Sequence, residues 1–225
     1  ERIFTKESAK YADAQPKQIG LWNNFFITDT SELGLIYKHN PYEKYYLTHP
    51  AYNYYPLVGI DYGQAMKYCK WRSDRIYEMR LVKNKVIKIN GKQDSTNFFS
   101  IENFLNGEYK IRIENKTKIL SIPIFRYRLP NSDEYSLAIK ILDACKLKNS
   151  YSLALKDSDS LSITTNVGLR FNKANCTYHL YDNVSELVFE KGIIFGGNWN
   201  DKTHNANFTT ITDIEPSNYI GFRCV

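Results

Sequence analysis

Only two stretches of this chain carry a clean helical period, and long irregular stretches surround both, so the expected class is α+β. The first runs from Asp61 to Arg80. Asp61 can cap it, because its carboxylate can accept the unpaired amide protons of the first turn. Ala65, Met66, Cys69, Ile76 and Met79 then share one face, with Tyr68, Trp71 and Arg72 beside it. The second helix starts after Pro130, where Asn131 and Glu134 have capping-box spacing. Tyr135, Ala138, Ile139, Leu142 and Cys145 follow as an i, i+3, i+4, i+7 stripe.

Other segments read as strands or loops. Phe25 to Leu33 is aromatic and β-branched, as an opening strand would be. Alternation over Lys110–Glu114 and Lys118–Ile122, on either side of Asn115-Lys116-Thr117, predicts a β-hairpin. Lys85 to Ile89 predicts an earlier strand, ending at the turn dipeptide Asn90-Gly91. Residues 146–182 read as short strands and polar loops, and residues 1–24 as an amino-terminal arm.

Composition narrows the partners. The 30 Lys and Arg are interspersed with 24 Asp and Glu, which leaves +6 and argues against a dense nucleic-acid stripe. No run of 18 apolar residues exists, so no segment is expected to span a membrane as a helix. Cys69, Cys145, Cys176 and Cys224 lack C-x-x-C spacing, which argues against zinc. They allow two disulfides or four buried thiols. Aromatics reach 15%, with 18 Tyr, as expected where packed rings pin loops.

Six short blocks give a sharper signal: Pro56-Leu57-Val58-Gly59-Ile60 leading into Ala65-Met66-Lys67-Tyr68-Cys69-Lys70-Trp71-Arg72; Arg128-Leu129-Pro130 with Glu134-Tyr135; Asn183-Val184-Ser185-Glu186-Leu187; Gly196-Gly197-Asn198-Trp199; and Gly221-Phe222-Arg223-Cys224. Their order resembles the formylglycine-generating-enzyme (sulfatase-modifying-factor) family. The stretch from Tyr46 to Ile60, continuing through Gln64-Ala65 to Asp74-Arg75, is most similar to the gliding-motility and type IX secretion lipoproteins of Bacteroidota. The resemblance implies a C-type-lectin-like fold with two helices, short twisted sheets and many loops. It would occupy residues 25–225 as a single domain, with an insertion at about 81–127. It implies a disulfide between Cys69 and Cys224, worth about 4–5 kcal/mol through loop closure, which leaves Cys145 and Cys176 for any second bridge.

The resemblance also bears on activity. The family's oxidising enzymes carry a cysteine pair between the last two blocks, and Asn200 to Gly221 holds none. The expectation is therefore a non-enzyme: a protein-binding or scaffold component of a secretion or gliding-motility assembly, in the periplasm or outer membrane, secreted or lipid-anchored, with envelope proteins as partners. The alternative is a ligand-binding module for a glycan or surface receptor on the same lectin-like fold. No cofactor is expected other than calcium, which the family often holds where Asn183 and Glu186 stand here. The plainer reading is a loop in which Asn183 bonds its own turn. Tyr42, Tyr45, Tyr46, Tyr52, Tyr54 and Tyr55 form a ring-rich stretch that fits core packing, a protein interface or sugar stacking.

Overall fold

A computed structural model describes residues 54–90, 93, 97–144, 164, 167, 171–172, 177–199, 201, 206–212, 216–217 and 219–225, with only the backbone at 142–144, 171–172 and 177–178. The arm, the strand expected over Phe25–Leu33, Cys145 and Cys176 lie outside these residues. The architecture is α+β, with few helices and a small mixed sheet. The chain divides into two compact units: one holds Met66–Tyr127, and the other holds residues 54–65 together with Arg128–Val225.

Helix α1 spans Tyr62–Lys83. Its start is a reciprocal box: the Gln64 amide donates to Asp61 Oδ1 at 2.7 Å, and the Asp61 amide donates to Gln64 Oε1 at 2.8 Å. Asp61 is thus the cap that the sequence predicts, and Gln64 completes it.

In the first unit, α1 buries Tyr77 and Leu81 against Val86, Ile87, Phe99, Ile101 and Phe104. The rings of Phe99 and Tyr109 meet edge to face at 5.4 Å. The buried side of α1 also carries Ser73, Asp74 and Glu78. Each is bonded, as burial of polar atoms requires. Ser73 Oγ donates to the Cys69 carbonyl and accepts from the Tyr127 amide. Asp74 Oδ1 accepts from the Ile101 amide at 2.9 Å. Arg75 donates to Glu78 Oε2 at 2.6 Å and to the Phe99 carbonyl, while Gln93 donates to Glu78 Oε1 and accepts from the Phe99 amide. Gln93 and Arg75 thereby tie both backbone groups of Phe99 to the helix. Met66, Ile76 and Met79, expected on the apolar face, are only half-buried.

The segment 81–127 departs from expectation. Lys85–Ile89 is turn and irregular chain, and the predicted hairpin is absent. Ile111 and Ile113 pack on the core while Arg112 and Glu114 face solvent, so the alternation is real. Its backbone partner is the Val86 carbonyl, which accepts from the Glu114 amide, and no second strand forms. Lys116–Ser121 winds into a 3-10 helix. Three residues per turn put Ile119 and Ile122 on one side, facing the core, a spacing that alternation does not distinguish over so few residues. Helix α2, Ile101–Leu105, was not anticipated; Ser100 Oγ caps it by accepting from the Asn103 amide at 3.0 Å.

In the second unit, α3 spans Ser132–Ala144. Asn131 Oδ1 accepts from the Glu134 amide and Glu134 Oε2 from the Asn131 amide, both at 2.8 Å, as the spacing predicts. Tyr135 is buried, and Ala138 and Ile139 pack beside it. The strands are β1 (Phe171–Asn172), β2 (Thr177–Tyr178), β3 (Ser185–Leu187), β4 (Ile193–Phe195), β5 (Phe208–Thr210) and β6 (Ile220–Gly221). β1 and β2 form an antiparallel pair. The other sheet runs β5-β4-β3-β6, with β6 parallel to β3 and the remaining pairs antiparallel.

Two predictions follow from the first unit. Glu78→Ala would leave Arg75 and Gln93 without their shared acceptor and should cost about 3 kcal/mol in urea unfolding. Glu102, bonded by Lys70 and Arg126, has its carboxyl lowered from near 4.5 to about 2. A depressed carboxylate contributes stability above its unfolded value, lost as pH falls from about 4.5 toward 2. Urea midpoints measured across that window should fall less steeply for Glu102→Gln.

Candidate functional site

The blocks that are far apart in sequence meet in the second unit. Glu186 occupies the middle of β3, paired with Phe195 on one side and Gly221 on the other. Its side chain is 9% exposed, and both oxygens are used. Arg223, just after β6, donates through Nε to Oε2 and through Nη2 to Oε1, each at 2.5 Å. Tyr135 of α3 donates its hydroxyl to Oε2 at 2.7 Å. Burial, with the Glu186 charge adding to it, pushes the Tyr135 phenol well above its ordinary value, so it acts as a neutral donor. Its ring stacks on Phe195 at 4.3 Å.

Around this centre the other blocks bond to one another. The Gly59 amide donates to the Ser217 carbonyl, and Arg128 and Val225 exchange both backbone bonds. Ser185 Oγ donates to the Gly196 carbonyl and accepts from Asn198 Nδ2. The Trp199 amide donates to the Asn183 carbonyl. Glycine is needed at two of these positions. Gly196 has φ of +86°, a left-handed backbone. A Cβ on Gly221 would lie 2.9 Å from the Leu57 carbonyl oxygen. Arg128 grips Glu134 with two bonds, at 2.7 and 2.8 Å, and this holds the Glu134 carboxyl below its usual range.

Glu186 and Asn183, read together as calcium ligands, lie close in chain but are used differently. Asn183 sits at φ +74°, a left-handed backbone just before β3. Glu186 spends its carboxylate on Arg223 and Tyr135. Asp182 is engaged too, through Oδ1 with His179 Nδ1 at 2.7 Å, a buried pair that sequence reading missed. The H-x-x-D spacing was its one visible sign. Among the described residues, no group of three or more His, Cys, Asp or Glu is arranged to hold a metal.

Cys69 is buried and Cys224 half-buried. Of the tyrosine stretch, Tyr42, Tyr45, Tyr46 and Tyr52 lie outside the described residues. Tyr54 is 62% exposed and Tyr55 half-buried. Also exposed in this unit are Leu137, Ile141 and Phe189. Leu137 and Ile141 are spaced i, i+4 on α3, opposite in role to the buried Tyr135. No helix among the described residues is long and apolar enough to cross a membrane. No family model, curated protein or solved structure matches the chain.

The Glu186 centre generates an ordered prediction. Arg223→Met strands a buried carboxylate and should cost about 3–5 kcal/mol. Tyr135→Phe removes one bond to a charged acceptor and keeps the stack, at about 1.5–3 kcal/mol. Gly221→Ala overpacks the β3–β6 seam, at about 1–3 kcal/mol. Urea denaturation should rank Arg223→Met as the largest loss.

Proposed function

We propose that this chain is a non-catalytic envelope protein on a C-type-lectin-like fold of the formylglycine-generating-enzyme type. In this reading it holds partner proteins in a secretion or gliding-motility assembly. The supporting observation is the convergence of separated blocks on one frame: Gly59, Arg128, Glu134, Tyr135, Ser185, Glu186, Gly196, Asn198 and Arg223 bond within a single unit. Their polar groups serve one another and so act as scaffold. Among the described residues this unit exposes the apolar or aromatic side chains of Tyr54, Leu137 and Phe189. Such side chains supply the anchors of protein interfaces. The same resemblance carries the Cys69–Cys224 bridge, which peptide mapping without reductant tests directly.

The full chain, tagged and incubated with native envelope membranes, should retain proteins of one secretion or motility assembly. Tyr54→Ala with Leu137→Glu should lower that retention by about tenfold, since each side chain would act as a buried anchor. Copper-dependent oxidation of a cysteine peptide by the purified protein would sink the proposal. Retention unchanged by the double substitution, with binding on a glycan array, would favour the ligand-binding alternative.

A further inference from the structure

Charge is divided unevenly along the chain. Met66–Tyr127 holds 14 Lys and Arg against 6 Asp and Glu, a formal +8, while the whole chain carries only +6. Everything outside that segment therefore sums to −2. The interspersed charge of the full sequence hides this partition. Within the basic unit, Asp74 is buried and Glu78 is occupied by Arg75, so two of the six acids offer the surface little negative charge.

The same unit exposes large apolar side chains next to its cations. In the 3-10 helix Lys116–Ser121, Ile119 faces the core and Ile122 follows one turn later. That register turns Leu120 outward, and it is 97% exposed. Lys116 and Lys118 of the same helix are exposed too. Ile124 and Phe125, immediately after, are 37% and 49% exposed. Their backbone is held in place: Arg80 donates to the Pro123 carbonyl at 3.0 Å, and its guanidinium lies 4.1 Å from the Phe125 ring centre. The apolar tip is thus presented on a fixed support.

We infer that the unit Met66–Tyr127 docks on an anionic lipid surface, with Leu120 entering the interfacial layer and Lys116 and Lys118 meeting lipid phosphates. The inference goes beyond the protein-binding reading and does not depend on it. Three observations select lipid over other polyanions. A leucine standing almost wholly clear of the surface gains nothing from a phosphate backbone or a base edge, but gains from an acyl boundary. A fluid layer accepts a protruding side chain without a shaped pocket, which a protein partner would have to provide. Basic residues beside an apolar tip supply the second attraction that stable surface binding requires.

The test is flotation of the full chain with vesicles of phosphatidylcholine alone or phosphatidylcholine mixed with phosphatidylglycerol. Binding is expected only to the mixed vesicles, falling as salt is raised. Leu120→Glu should lower the partition coefficient by about tenfold. Lys116→Glu with Lys118→Glu should lower it by about tenfold or more. Because these positions are exposed, thermal midpoints should match the parent, separating lost docking from lost folding. Equal flotation with both vesicle types, flotation with neither, or indifference to Leu120→Glu would overturn the inference. Salt-sensitive binding of a short DNA duplex, unaffected by Leu120→Glu and without vesicle binding, would instead assign the basic face to nucleic acid.

Discussion

The second unit depends on one desolvated ion pair. Glu186 sits in the central strand of a sheet whose strands are only two or three residues long. Such strands offer few ladder bonds and little apolar area, so they cannot hold a sheet by themselves. The carboxylate compensates by gripping three pieces of chain: its own strand, the carboxy-terminal segment through Arg223, and α3 through Tyr135. A buried pair of this kind repays its desolvation only with near-ideal geometry and further hydrogen bonds. The two-pronged guanidinium contact and the tyrosine hydroxyl supply both. What the pair contributes is register: a neighbouring residue of β3 in that place would point to the other face.

The first unit solves a related problem differently. Its helix buries a face that is half polar, with Ser73, Asp74 and Glu78 alongside Cys69, Tyr77 and Leu81. Burial raises the Asp74 carboxyl above its ordinary value, although the Ile101 amide pulls the other way. That cost is accepted because the loop it organises has no regular structure of its own. Phe99 and Ile101 obtain backbone partners from Asp74, Arg75 and Gln93, where a strand would have used a neighbouring strand. Side chains stand in for a ladder, which is why the segment closes on a core of Phe99, Ile101 and Phe104 without a sheet.

How much of this was legible follows from which interactions are local. Both long helices, and both of their caps, were readable, because Asp61–Gln64 and Asn131–Glu134 satisfy their partners within three residues. The buried face of α1 was not. Hydrophobic periodicity sees Met66, Ile76 and Met79 and cannot credit a polar residue whose partner is 15 or 27 positions away. The hairpin failed for a related reason. Lys118–Ile122 alternates in a way that suits a strand, but with no partner strand available the chain takes the three-residue turn that still buries Ile119 and Ile122. At the Glu186 centre, the blocks were visible and their meeting was not, since Tyr135, Glu186 and Arg223 are separated by 51 and 37 residues.

The division of charge extends that lesson from pairs to surfaces. Whole-chain composition reports an interspersed +6, which reads as an unremarkable soluble surface. Met66–Tyr127 nevertheless carries +8, and two of its six acids, Asp74 and Glu78, are withdrawn into the core to bond Ile101 and Gln93. The polar interior and the basic exterior are thus two results of one arrangement. Each carboxylate drawn inward to serve Phe99 or Ile101 is one that cannot offset a surface lysine. A unit organised in this way presents an excess of positive charge, and an exposed leucine beside it gives that surface a direction.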